Sequence, residues 1–369
     1  MSTILACGAW LKNTACLLQD GQVTWSPLHG DLGDPANCIA LDASVAQLVA
    51  QADGAIAAVA HDLHPDFFST QLAVRVAAEL GVPAIGVQHH VAHIGVVLAT
   101  QQVSGPVIGV ALDGVGLGTD GLAWGGELLL VDGAQWQRLG HLQLLALPGG
   151  DVAAREPWRM AAAALQALGR GADITPRFAA AVGKPAAQTV QTMLARDLRC
   201  PPTSSTGRWF DAAAGALGIS VRQGAEAEAA IALEQLATAY LASHPAPDCR
   251  GGYLIDAAGV LDLRPVLARL FALADSGDIA LGAALFHLTL VDGLTDWITA
   301  AAGTHHLSTV ALGGGCFFNR LLVDRLTTAL HQRGLRTLLP HVVSCGDAGL
   351  AFGQAWVVSQ QLEEVPVCV

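Results

Sequence analysis

The sequence predicts a bilobal α/β protein in which a mixed sheet is built twice and the second lobe carries a helical insertion. Three observations predict it. Strand-like and helix-like stretches alternate through the first part of the chain, and the strand–turn–strand theme that opens the chain returns after Ser104-Gly105-Pro106. In addition, 369 residues with 52% apolar side chains can bury more core than one lobe usually holds. The first lobe is placed at residues 1–104 and the second at 105–346, with its insertion at about 155–245; a last helix over 347–361 is expected to complete the first lobe.

Residues 4–9 and 14–18 alternate in the manner of strands, Gln19-Asp20-Gly21 supplies a turn, and Gln22–Trp25 closes a hairpin. A helix-like stretch at 44–51 leads to a buried strand at 55–59. Phe68–Leu80 carries apolar residues at helical spacing, and a short apolar run at 83–87 ends at Gln88-His89-His90.

The second half opens with an all-apolar strand at 107–112, a turn at Asp113-Gly114, and strands over 123–131. A sheet that restarts in this way is expected of actin-like, sugar-kinase-like nucleotide folds. Residues 155–240 are Ala-rich and helical, broken by Pro201-Pro202 and Gly207, and 251–255 gives another strand. Near the end come a strand at 309–312, the loop Gly313-Gly314-Gly315, a helix at 319–330 and a strand at 335–339.

Composition excludes several function classes. A net charge of −12 argues against nucleic-acid binding, which needs clustered Lys and Arg. No consecutive apolar run reaches the ~18 residues of a membrane span. The start MSTILACGAW lacks the basic and long apolar regions of a signal peptide, so a cytoplasmic location without membrane attachment is expected. Cys7, Cys16, Cys38, Cys200, Cys249, Cys316, Cys345 and Cys368 form no C-x-x-C pair and read as reduced, mostly core thiols.

The residues suited to chemistry cluster at strand ends. His89 and His93 stand four apart, so on a helix they share a face and can bind one metal ion. The same spacing serves ordinary helix histidines, and His90 offers an alternative pairing. Asp113 in LDGVGLGTDG and Asp347 in SCGDAG are oxygen ligands that would complete the set, although an Asp at a Gly-rich turn is also ordinary turn chemistry. Gly114, Gly116 and Gly118 would let backbone N–H groups approach a phosphate, without the Gly-Lys-Ser/Thr of a Walker loop. Gly314 and Gly315 lie between a strand and a helix, where anions or nucleotides are favoured. Arg208 and Asp211 in TGRWFDA are either a local ion pair or ligand contacts. Glu226 and Glu228 open an Ala-rich helix, where acidic residues also complement the dipole.

Ten motifs occur in the order seen in one family: LKNTACLL, HGDLGD, HDLHPDF, QHHVAHIG, ALDGVGLGTDGLAWGGE, LPGGD, REPWRM, GRWFDA, LGGGCFFN and CGDAG. Over nearly its whole length the chain resembles the C-terminal, Kae1-like domain of the HypF hydrogenase-maturation carbamoyltransferases. The resemblance implies an actin-like ASKHA fold and one iron or zinc ion on His89, His93, Asp113 and Asp347, which would be the catalytic residues. It implies an adenine nucleotide (carbamoyl-adenylate, ATP or AMP) against the Gly114–Gly118 segment, Asp211, Gly314, Gly315 and Asn319, with Arg208 and Glu228 as further contacts. It also implies transfer of a carbamoyl group to the C-terminal cysteine of HypE, on the way to the cyanide ligands of nickel–iron hydrogenases.

The chain departs from the family pattern at Ala348, usually Gly, and at residues 225–228, usually Tyr-Glu-Gly-Glu. Full-length members also carry acylphosphatase, zinc-finger and YrdC-like domains before this region. A separate YrdC-like or full-length HypF protein is therefore expected to supply carbamoyl-adenylate. A small-molecule O-carbamoyltransferase and a non-catalytic paralogue that binds HypE or a nucleotide are the competing expectations.

Overall fold

The computed structural model describes residues 2–364, so Cys368 lies outside the described residues. Its first sheet contains β1 (Thr3–Ala6), β2 (Cys16–Gln19), β3 (Gln22–Trp25), β4 (Ile56–Asp62) and β5 (Ala84–Val87) in the order β3-β2-β1-β4-β5. The hairpin neighbours are antiparallel, whereas β1, β4 and β5 run parallel. Asp20 and Gly21 both have positive φ, as the tight two-residue turn between β2 and β3 requires.

The second sheet repeats this pattern. Its centre is β6 (Val107–Leu117), β7 (Ala123–Asp132) and β8 (Gln135–Leu142), antiparallel to one another. The short strands β9 (Leu145–Ala146) and β10 (Pro202–Thr203) flank β7, while β11 (Leu254–Ile255) and β12 (Val260–Asp262) extend the β8 edge. On the other side β6 pairs in parallel with β13 (Thr309–Gly313), which pairs with β14 (Arg336–Leu338). The order β8-β7-β6-β13-β14 thus repeats β3-β2-β1-β4-β5, the duplication expected of an actin-like fold.

The first sheet carries α1 (Pro35–Gln51) and α2 (Phe68–Leu80) on its outer face. α1 begins before the 44–51 stretch because Asp34 accepts a hydrogen bond from Ala36 N at 2.9 Å and Pro35 occupies the first turn. Between the sheets lie α3 (His89–Gln101) and the last helix. The insertion and its surroundings supply α4 (Val152–Arg155), α5 (Pro157–Ala167), α6 (Ile174–Val182), α7 (Lys184–Ala195), α8 (Thr206–Ala216), α9 (Glu228–Leu241) and α10 (Arg264–Ser276). They are followed by α11 (Ile279–His305), α12 (Arg320–Gln332) and α13 (Leu350–Glu364).

Strand alternation divides the core. Ile4 and Ala6 face α3 and α13, whereas Leu5 and Cys7 face α1 and α2. Val107 and Ala111 join the same central layer from the second sheet, while Ile108, Val110 and Leu112 face the large helical core behind it. At Gly353 a Cβ would collide with the Ala92 carbonyl, so this close approach of α3 and α13 needs glycine.

Three expectations are corrected. Asp113-Gly114 is not a turn: β6 continues to Leu117 through a bulge between Leu112 and Gly116, and Gly121 carries the positive φ of the real turn. Gly207 does not break a helix but lies inside α8, where an added Cβ would sit 3.1 Å from Gly114 Cα. The segment 256–308, left without an element, holds α10 and the 27-residue α11. By length and composition α11 is apolar enough to cross a membrane, yet 67% of its most apolar window is buried and it packs against α9, α10 and α12.

Candidate metal and nucleotide site

The site forms where the bulged end of β6 and the turn into α13 meet the N-terminus of α3. Gln88 caps this helix by accepting from Val91 N at 2.9 Å, which brings His89 into the first turn and His93 one turn later on the same face. Both rings are buried. The β6 bulge presents Asp113, and the turn that leads into α13 presents Asp347.

The four side chains converge. His89 Nε2 lies 3.3 Å from Asp113 Oδ2 and 3.7 Å from Asp347 Oδ1. His93 Nε2 lies 3.5 Å from each of the same two oxygens. Donors about 2.1 Å from one tetrahedral ion would stand about 3.4 Å apart, so these separations fit a shared metal. One candidate ligand atom from each residue lies within 4.8 Å of all the others. Both His93 ring nitrogens also lack a hydrogen-bond partner among the described residues, although the ring is fully buried. An unsatisfied buried imidazole is costly unless something else takes its lone pair. The donor set therefore fits a metal ion held by two imidazoles and two carboxylates.

Electrostatics agree with an assembled anionic corner. Burial opposes charge on His89, but the carboxylates of Asp113 and Asp62 outweigh it and hold the imidazole well above its ordinary range. Burial likewise opposes charge on His93, where Asp113 and Asp347 prevail and raise it. For Asp113, burial is overcome by the two histidines, which hold the carboxyl well below the usual range. His90 differs. Burial, reinforced by His89, pushes it well below its ordinary value, and its Nδ1 accepts from the Gln88 amide at 3.0 Å. His90 is not among the four residues whose ligand atoms converge, although its Nε2 is likewise buried without a hydrogen-bond partner among the described residues.

Asp62 is a participant that sequence reading missed. Its Oδ2 accepts from His89 Nδ1 at 2.8 Å. The signal is present in HDLHPDF, but the strand expected at 55–59 stops three residues short of this side chain, whereas β4 runs on to Asp62.

The nucleotide-side candidates fall into two groups. Gly114 and Gly116 lie on the bulged end of β6 and Gly118 just beyond it, while Gly314 packs against Leu112 and Gly315 against Asp113. Gly315 N donates to Asp113 Oδ1 at 3.0 Å, which leaves Oδ2 for the site. At Gly116 an added Cβ would lie 2.7 Å from the His89 and His90 rings, so glycine is required by packing even without a phosphate. The remaining four already have partners. Arg208 pairs with the buried Asp211 at 2.7 Å, and Asp211 also accepts from Gln223 Nε2 at 3.1 Å. Glu228 Oε2 accepts from Gly224 N at 2.7 Å, while Glu226 reaches across the lobes to Lys12 at 2.9 Å. Asn319 caps α12 by accepting from Leu322 N at 2.9 Å and donates to His287 Nε2 at 3.0 Å.

Two thiols border the corner. Burial pushes Cys316 well up, and burial raises Cys345 to about 11, so both remain protonated near neutral pH. Neither is an activated nucleophile.

Comparison with known proteins agrees with this architecture. Residues 1–100 match the family model described as the HypF Kae1-like domain. Residues 109–354 match the one described as the carbamoyltransferase, Kae1-like domain, second subdomain. A carbamoyltransferase HypF homolog from Cupriavidus necator is 64% identical over 97% of this chain and 92% of its own length. Carbamoyltransferase HypF2 from the same organism is 47% identical over 97% of this chain, which spans only 47% of that relative. Among solved structures, full-length HypF in its phosphate- and nucleotide-bound form superposes with a TM-score of 0.87 at 30% identity, covering 99% of this chain and 56% of that one. HypF of T. kodakarensis superposes with a TM-score of 0.89 at 29% identity, covering 98% of this chain and 48% of that one.

Proposed function

This chain belongs to the HypF carbamoyltransferase family through its Kae1-like domain, and on that premise we propose that it transfers a carbamoyl group from carbamoyl-adenylate to the C-terminal cysteine of HypE. The observation that carries the reading is the convergence of His89, His93, Asp113 and Asp347 beside glycine-lined backbone. A bound iron or zinc ion would act there as a Lewis acid on the carbamoyl carbonyl.

The chain's own residues would do the rest. Backbone N–H groups along Gly114–Gly118 and near Gly314 would face the nucleotide phosphate and the developing oxyanion. Asp113, tied by one oxygen to Gly315 N, couples the position of that loop to the ligand corner. The protonated state of Cys316 and Cys345 supports a nucleophile supplied from outside, namely the partner's thiol. That sulfur would form the new bond to the carbamoyl carbon, the carbon–oxygen bond to AMP would break, and the thiol proton would be released. Activation of the carbamoyl group would fall to a separate YrdC-like or full-length HypF protein.

The test supplies carbamoyl phosphate, ATP, a YrdC-domain protein and HypE together with this chain. Mass spectrometry should find one carbamoyl adduct on the terminal cysteine of HypE, dependent on this chain. No adduct while the upstream protein demonstrably makes carbamoyl-adenylate would overturn the transfer reading and leave a scaffold that binds HypE or a nucleotide.

A further inference from the structure

The two histidines of the corner are not equivalent. His89 has a carboxylate behind it, whereas His93 Nδ1 has no partner among the described residues. We propose that Asp62 is a positioning residue that fixes His89 with its hydrogen on Nδ1, and so holds the Nε2 lone pair toward the metal.

Asp62 ends β4, in register with Val87 at the end of β5, and only Gln88 separates Val87 from His89. The two parallel strand ends therefore set the carboxylate and the imidazole side by side. Asp62 is almost completely buried, at 1% exposure, and both its oxygens are engaged. Oδ1 accepts from His64 N at 3.0 Å while Oδ2 accepts from His89 Nδ1 at 2.8 Å. Its backbone carbonyl accepts from His61 Nδ1 at 2.7 Å and from Thr70 Oγ1 at 3.2 Å, which pins the residue at a second level. An ionised carboxylate has no hydrogen to give, so the Nδ1 facing it must be the donor and Nε2 is left as the ligating atom. Metal-bound histidines commonly have such a partner, and its loss typically weakens metal binding about 10–100-fold.

Asparagine distinguishes this role from simple filling of space. It keeps the shape of Asp62 but offers one acceptor where the site needs two, so either His64 N or His89 Nδ1 faces another donor. The inference rests on the metal-binding part of the proposed function and not on the carbamoyl reaction.

The experiment adds zinc to the metal-free full chain in competition with a chromophoric chelator, for wild type and D62N, with thermal unfolding of both metal-free proteins alongside. The expected result is about a 10–100-fold weaker zinc affinity in D62N. Long-range proton–nitrogen NMR of the zinc-loaded wild type needs no variant and should show His89 protonated at Nδ1 and metal-bound at Nε2. Equal zinc affinity in wild type and a folded D62N, or His89 bound through Nδ1, would overturn this inference alone. Failure of the wild type to take up zinc would overturn the metal reading, and this inference with it.

Discussion

The ligand corner and the nucleotide side are built from similar buried polar residues, yet they differ in what satisfies them. Arg208, Asp211, Glu228 and Asn319 have partners within the fold: an ion pair, a glutamine, loop amides and a histidine. His93 Nδ1 has none, and its Nε2 has only the carboxylates of Asp113 and Asp347, each at 3.5 Å, the point on which His89 also converges. A buried polar group without a partner costs free energy that the fold must offset elsewhere, and an ion held by these four residues would supply that partner. Each of the partnered residues has a structural role whether or not a nucleotide touches it.

The widest separation between the two regions should come from the ligand histidines. A His89→Ala/His93→Ala double variant should lose metal altogether by elemental analysis, a larger effect than the roughly 10–100-fold of a partner behind a ligand. Removing two partly unsatisfied imidazoles from a metal-free corner should leave the chain folded by circular dichroism. Equal metal content in this variant and in wild type would erase the contrast from the ligand side.

The second test uses pH. Burial pushes His287 down to about 4 from its ordinary 6.5, because the ring is packed between α8, α11 and Asn319 and bonds to Ala283 O and Asn319 Nδ2 in its neutral form. A histidine with a depressed folded value contributes stability that is complete above about pH 6.5 and is lost as pH falls towards 4. The loss should reach about 3 kcal/mol in urea unfolding and be absent in His287→Gln. His89 has the opposite sign in the metal-free protein: its contribution is complete below 6.5 and fades as pH rises through its raised value. A wild-type curve with the same acid slope as His287→Gln would remove His287 from the argument.

Asn319→Ala probes the same pair from the other side. Loss of the cap costs about 1 kcal/mol, and an unsatisfied His287 Nε2 adds about 1–3 kcal/mol. Calorimetry should find that stability falls while AMP affinity changes less than about threefold, a change worth under ~1 kcal/mol. Lost nucleotide binding at unchanged stability would instead place Asn319 on the ligand.

What was legible in the sequence follows the same division. The four candidate ligands stood in motifs at strand ends, but spacing alone left His89 and His93 even with ordinary helix histidines and the aspartates with ordinary turns, and only the family resemblance joined them into one set. The Phe68–Leu80 helix and the β2–β3 hairpin were local. Asp113-Gly114 misled because an Asp-Gly pair signals a turn, and only the packing of Gly125 against the Asp113 carbonyl shows that the strand bulges on. α11 escaped because apolar residues surround it on most sides, which leaves no single stripe to detect. Asp62 escaped because its partner is 27 residues away.

The smallest effect belongs to Glu228, and it sharpens the comparison most economically. Its carboxylate holds the loop at Gly224 and Ala225 by backbone amides at 2.7 and 3.3 Å, in an exposed position at the start of α9. Such a contact at a helix N-terminus is worth about 0.3–1 kcal/mol. Glu228→Gln keeps one acceptor and should lower the unfolding midpoint only slightly. If Glu228 is a loop brace and nothing more, AMP affinity measured by calorimetry will be unchanged in Glu228→Gln and in Glu228→Ala alike. A fall of tenfold or more in both, with the midpoint barely moved, would put Glu228 on the nucleotide. The contrast between a ligand-seeking corner and a self-satisfied flank would then fail at its most exposed member.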